Sequence, residues 1–434
     1  MRARWILLAL LAAIAAGVGR FLAWAWYPAI PVIEPPSAAS FDRALVAKGV
    51  ELAALGNCAL CHTKSDGRPF AGGLPIPTPF GAIHSANITP DPDTGIGKWP
   101  QGAFLRAMRE GVDRSGRHLY PAFPYNHFAK VAERDLEAIY AFLMTRDAVR
   151  NEIPANELPF PASFRLVLAG WKLLFLDRDP FQPDPSKSPE WNRGAYLVQG
   201  LGHCGWCHTP RNRLGAEKPE DSLAGGEAAA WDAPALNAAS TAPVPWEEGA
   251  LFNYLRNGGD PLHGVAAGPM LSVVSDLARL PEPDLRAIAV YIASLTAGAP
   301  QERQKKTGEA LVFAEFRAWG VGPYDVRDKE GAGESGAPIF ADACAGCHYG
   351  RELALNTAVN LPDPRNLIRI IRDGVMPPTG EKDPMMPGFA DVLTDQQTAA
   401  LVGYLRKQFS ERPAWRDPDI AARVREISGG ERQR

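Results

Sequence analysis

Several things are scarce in this sequence, and each scarcity excludes something. Its 434 residues carry a formal net charge of −3 with no basic stripe or Lys/Arg run, so nothing recommends nucleic acid as a partner. No G-x-G-x-x-G follows a strand pattern and no P-loop occurs, so no phosphate cradle for a nucleotide or dinucleotide is present. Methionine occurs seven times and cysteine six, and no cysteine is left over for a disulfide once the pattern described below is counted. Proline and glycine, at 40 and 41, are plentiful. Apolar residues are interspersed among them, which predicts long ordered loops between short helices rather than disorder. The length predicts several domains.

The N-terminus has the form of an export signal. Arg2 and Arg4 precede an apolar run from Trp5 to Val18, followed by Arg20, Phe21, Trp24, Trp26 and Tyr27. Ala23 and Ala25 form an A-x-A-like cleavage site, as in a signal peptide, whereas the aromatic residues suit the interface level of an uncleaved anchor. Both readings of residues 1–35 stand at this point.

All six cysteines fall into one frame, repeated three times: Cys58, Cys61, His62; Cys204, Cys207, His208; and Cys344, Cys347, His348. C-x-x-C-H is the c-type heme attachment pattern. Two intervening residues let both thiols reach the vinyl groups of one porphyrin, and the adjacent imidazole then serves as proximal iron ligand. The alternative is a structural zinc or redox CxxC site, but zinc would need a fourth ligand at each of the three, and the spare histidines are too few. Three covalent hemes c are therefore expected. Because they are attached outside the cytoplasm, motif and export signal support each other.

Each motif sits in a larger frame. Gly49, Gly194 and Gly336 lie on a helix leading into the motif; Phe142, Tyr291 and Tyr404 lie on a later 3.6-periodic helix. A glycine on one helix and an aromatic on another suit a close crossing. Between them, WPQGAFLRAMREGV, WEEGALFNYLRNGGD and PRNLIRIIRDGV each predict a helix ending at glycine. The fold expected is all-α: three tandem cytochrome c-like heme domains with long ordered loops, plus an N-terminal hydrophobic helix.

The second axial ligand usually comes from a loop before the last helix, most often as a methionine thioether. Met270 lies 66 residues after Cys204 in such a loop, and Met386 stands in the corresponding place in the third repeat, with Met385 and Met376 as weaker competitors. In the first repeat nearly the same count, 65 residues on from Cys58, arrives at Phe123, which cannot ligate iron. His127, four residues further on, is the candidate in its place. A bis-histidine first heme would have a lower potential than the other two, because imidazole favours the ferric state more than a thioether does. For His84, His118, His203 and His263 a solvent or propionate contact is expected.

With the fragments CALCHT, FGAIHSANITPDPDTGIGKW, HLYPAFPY, WNRGAYLVQGLGHCGWCHTPRN, HGVAAGPM and CAGCHYG with MMPGF, the chain resembles the triheme cytochrome c subunits of bacterial membrane-associated periplasmic dehydrogenases. The likeness runs from about residue 40 to 410. That family usually has a methionine where Phe123 stands. The departure resembles the subset paired with molybdenum hydroxylases acting on aldehydes or nitrogen heteroaromatics such as nicotinate. The resemblance implies an electron-transfer subunit at the periplasmic face of the inner membrane. Its implied partners are a catalytic dehydrogenase subunit and, downstream, ubiquinone or another cytochrome or oxidase. Alternatives are the cytochrome subunit of a PQQ alcohol or FAD sugar dehydrogenase, and a heme enzyme using an open first heme.

The expected boundaries are residues 40–150, 188–300 and 334–410 for the three heme domains, 151–187 for a proline-rich connecting segment, 301–333 for a linker and 411–434 for a solvated tail. Within the connecting segment, apolar Phe164 to Leu176 is expected either to pack on the first heme domain or to dock on the membrane or a partner subunit.

Overall fold

Among the described residues helices dominate, and strands are confined to three two-stranded hairpins: Pro75–Thr78 with Gly81–His84, Gly226–Ala228 with Trp231–Ala233, and Gly259–Asp260 with Gly264–Val265. The all-α expectation missed these hairpins because runs of two to four residues are too short to show strand alternation. The computed structural model describes residues 2–296, 298–319, 336–348, 350–377 and 384–431. The chain divides into two units, Met1–Pro183 with Gln199–His203, and Asp184–Val198 with Cys204–Arg434.

The first unit contains α1 (Arg2–Ala25), α2 (Arg43–Leu55), α3 (Gln101–Glu110), the single turn α4 (Tyr125–Phe128), α5 (Glu133–Met144) and α6 (Leu166–Phe175). The Asp42 carboxylate accepts the Leu45 amide at 2.9 Å and so starts α2. The helices α2 and α5 cross at Gly49, where a Cβ would fall on the Ala138 carbonyl and the Phe142 Cβ. Around the crossing Leu52, Leu55, Leu136, Ile139 and Leu143 form the core. Gly111 ends α3 at φ 60°, and the fully buried Tyr125 ring occupies the space a side chain there would need.

Helix α1 is long and apolar enough to cross a membrane. Its last residue is nonetheless tied into the unit. Ala25 is buried, and its carbonyl lies 2.8 Å from His118 Nε2. Just beyond, Pro28 and Ile30 accept hydrogen bonds from Arg106 and Arg114.

The second unit contains α7 (Pro189–Gln199, whose final residue folds with the first unit), α8 (Glu248–Asn257), α9 (Glu282–Ser294), α10 (Pro300–Trp319), α11 (Gly336–Ala343), α12 (Arg365–Asp373), α13 (Asp395–Phe409) and α14 (Asp417–Glu431). The glycine crossing recurs twice. A Cβ on Gly194 would strike the Ala287 carbonyl and the Tyr291 Cβ, and one on Gly336 the Ala400 carbonyl and the Tyr404 Cβ. Helices α8 and α12 end at Gly258 and Gly374, both with positive φ. The Trp231 hairpin docks on α12 through Asn366, which donates to the Asp232 carbonyl at 2.7 Å and accepts the Asp232 amide at 2.8 Å.

Two boundary expectations need correction. Residues 301–319 of the expected linker belong to helix α10, and residues 320–335, which include the start of the third domain as drawn, lie outside the described residues. Most of the expected tail is α14, whose Ile420, Val424 and Ile427 are buried in the cluster of Phe340, Leu401 and Phe409. Those three apolar residues form one narrow stripe in a charged background and so read as solvated in sequence.

Candidate heme sites

The first two attachment motifs fold as one-turn helices, Cys58–His62 and Cys204–His208, while Cys344 to Cys347 form a turn. Cys61 and Cys347 are exposed and the other four cysteines half-buried. Burial pushes the Cys204 thiol up to about 12 and raises Cys61 and Cys344. Among the described residues no group of three or more His, Cys, Asp or Glu side chains is placed to hold a metal ion.

The histidines of the first two motifs share one orientation. His62 Nδ1 lies 2.7 Å from the Ala86 carbonyl and His208 Nδ1 lies 2.6 Å from the Pro234 carbonyl. Such a contact fixes the tautomer with hydrogen on Nδ1, which leaves the Nε2 lone pair for a metal. Loss of hydration lowers the pKa of both rings, outweighing the carbonyl bond, and so favours the neutral form. His348 differs: its Nδ1 partner is the Glu352 carboxylate at 3.3 Å.

Ala86 immediately precedes the NITPDPDTGIG loop, whose polar residues hold the backbone there. Asn87 donates to the Val149 carbonyl at 2.7 Å, and Asp91 accepts the amide and hydroxyl of Thr94, each at 2.7 Å. Gly95 and Gly97 have carbonyls where a Cβ would lie.

His127 is buried on α4, and its Nδ1 lies 2.9 Å from the Gln199 carbonyl, as in His62 and His208. Phe123 packs on Phe128 with ring centroids 5.2 Å apart and lies 6.4 Å from Tyr125, so its ring belongs to an aromatic cluster. Met270 is the second residue of a short helix, Pro269–Leu277, entered through Gly268 at φ 56°. The Trp231 indole lies where a Gly268 side chain would be, so this tryptophan holds the backbone of the Met270 loop. Met386 pairs antiparallel with Val375 through two backbone hydrogen bonds of 2.9 and 3.2 Å. It is half-buried, whereas Met385 and Met376 are 57% and 41% exposed, which favours Met386 among the three.

The remaining histidines are largely structural rather than solvent contacts. His263 is buried, stacked 3.6 Å from Trp246 and 3.1 Å from Asp260. His118 is buried between Ala25 and Lys172. His203 reaches the Gly56 carbonyl at 3.2 Å. His84, nearly enclosed, lies 3.9 Å from the exposed Glu157 carboxylate.

Sequence reasoning also missed Lys172, which is buried with its Nζ 2.8 Å from the Glu110 carbonyl, 2.5 Å from that of Gly111 and 3.1 Å from His118 Nδ1. Burial lowers its pKa to about 7. From about pH 7 to the ordinary lysine value near 10.4, the unfolded chain therefore holds a proton that the native chain has lost. Stability of the first unit is expected to rise with pH across that window, by up to about 1.4 kcal/mol per pH unit. Urea midpoints at pH 7, 8.5 and 10 should show this rise, and Lys172→Met should flatten it.

The family model for cytochrome c oxidase, cbb3-type, subunit III matches residues 331–405, around Cys344 and Met386. Over 99% of its length the chain is 45% identical to a nicotinate dehydrogenase subunit of Pseudomonas putida, of which it spans 36%, about a third. It is 34% identical to the fructose dehydrogenase cytochrome subunit of Gluconobacter japonicus, over 90% of this chain and 84% of that one. It is 37% identical to the gluconate 2-dehydrogenase cytochrome c subunit of Pantoea cypripedii, over 84% and 86%. The chain belongs to the family of cytochrome c subunits of bacterial dehydrogenases. Within that family its role is electron transfer rather than substrate catalysis.

Proposed function

We propose that the chain carries three covalent hemes c and passes electrons from a molybdenum hydroxylase-type dehydrogenase to ubiquinone or the respiratory chain, at the periplasmic face of the inner membrane. The observation that carries this reading is the threefold recurrence of a C-x-x-C-H motif beside a helix crossing closed on glycine, at Gly49, Gly194 and Gly336. Cys58 and Cys61, Cys204 and Cys207, and Cys344 and Cys347 would hold the three porphyrins, with His62, His208 and His348 as proximal ligands. His127, Met270 and Met386 would complete the three axial sets. Each heme supplies a one-electron ferric/ferrous couple.

The chain's own residues set the environment of each couple. The Ala86 and Pro234 carbonyls hold His62 and His208 in a fixed tautomer and rotation, and the Glu352 carboxylate makes His348 the more basic donor. Glu352→Gln is therefore expected to raise the potential of the third heme, read by spectroelectrochemical titration, and to leave the other two in place.

The similarity to the nicotinate dehydrogenase subunit and the phenylalanine at position 123 support a molybdenum partner over PQQ or FAD enzymes. The aromatic residues Trp24, Trp26 and Tyr27 at the end of α1, which suit the membrane interface, support its retention as an anchor.

Protein purified from its native membranes in mild detergent tests the reading. Peptide mass spectrometry should find one heme on each C-x-x-C pair, and a larger subunit containing molybdopterin should co-purify. Unmodified thiols would refute the heme reading, and PQQ or FAD in the larger subunit would move the chain to the other branches of the family.

A further inference from the structure

We propose that α6 lies in the plane of the membrane surface with its leucine face in lipid, a second attachment of the first unit beside α1. The inference rests on the reading of α1 as a retained anchor. Helix α6 is inside out for a helix in water. Leu173 and Leu174 are 62% and 69% exposed, Val167 is 45% exposed, and Phe160 and Phe164, just ahead of the helix, are 83% and 55% exposed. The one charged side chain of the helix, Lys172, is 2% exposed. At 100° per residue, Leu166, Val167, Gly170, Leu173 and Leu174 share one arc, and Leu168, Ala169 and Lys172 share the opposite one.

The lysine fixes this rotation. Its Nζ donates to the C-terminal carbonyls of α3 at Glu110 and Gly111 and lies over the Tyr125 ring at 4.8 Å. Turning the leucines inward would pull the Lys172 Nζ off these carbonyls and leave them without their donor. The helix is therefore held with its apolar arc outward.

Lipid is the occupant because the arc continues a surface that already needs lipid. Helix α6 touches α1, whose apolar side chains are outward along nearly its whole length. At the junction stand Trp24, Trp26 and Tyr27, the residue types that settle at the headgroup level. Just past α6, Arg178 lies 5.9 Å over Trp24 and donates to the Tyr27 hydroxyl at 3.0 Å, which places a guanidinium where lipid phosphates would be. A helix with an apolar face next to an interfacial aromatic belt is the form of an in-plane membrane helix.

The experiment uses the full heme-loaded chain in vesicles of phosphatidylethanolamine and phosphatidylglycerol. Nitroxide labels are placed at Leu173→Cys and Leu174→Cys, with Leu8→Cys on α1 as lipid reference and Leu214→Cys as water reference. Unchanged heme spectra report folding, and collision with oxygen and with a water-soluble nickel chelate reports depth. The expected result is that labels 173 and 174 collide with oxygen and lose the nickel collisions, as label 8 does. Nickel access equal to that of label 214 overturns the proposal while leaving the anchor intact. Shielding from both reagents also overturns it, because protein would then cover the face. A label 8 open to nickel removes the anchor reading, and α6 as a second attachment with it.

Discussion

Replacing His127 by alanine is expected to convert one of the three hemes from low spin to high spin and to open it to carbon monoxide, with the other two unchanged. No thioether is available in the first ligand loop: Met108 lies on α3, Met144 ends α5, and Phe123 offers only a phenyl ring. His127 is buried and its Nδ1 is tied to the Gln199 carbonyl, the orientation that leaves Nε2 for iron. His127→Met should restore a six-coordinate low-spin heme with a higher potential, since a thioether favours the ferrous state. His203→Ala is the control: its ring lies 6.5 Å from that of His127 and bonds the Gly56 carbonyl, so its loss should leave all three low-spin bands in place. Three low-spin bands in His127→Ala would sink the assignment, because the first iron would then take its sixth ligand from another residue.

The largest loss of stability is expected from Gly194→Ala. The added methyl would meet the Ala287 carbonyl and the Tyr291 Cβ, which belong to a helix backbone and cannot rotate away as a flexible side chain can. The helices α7 and α9 must separate, and the packing of Leu197, Leu285 and Ile288 goes with them. Overpacking usually costs about 1–3 kcal/mol, and a clash with backbone belongs at or above the upper end. Gly194→Ala should lower the yield of heme-loaded protein and the urea midpoint of the second unit. Gly102→Ala, where nothing lies within 4 Å of the new methyl, should do neither.

The helices that form the crossings were legible because they are periodic and recur three times, and the helices between them because each ends at glycine. Helix α14 was not legible, since Ile420, Val424 and Ile427 stand among charged residues that resemble a tail until the α13 surface they cover is known. The rotation of α6 was equally hidden. Its composition is apolar nearly all round, and only the carbonyls of Glu110 and Gly111 show why the lysine faces in.

By itself the sequence determined the attachment chemistry: two thiols and an imidazole within five residues are brought together by the covalent chain whatever the rest of the fold does. Only the tertiary structure decided what each imidazole leans on and which of three nearby methionines turns inward. The Nδ1 partners of His62, His208 and His127 lie 24, 26 and 72 residues away in the chain. Contacts across such separations are set by packing, which residue spacing does not encode.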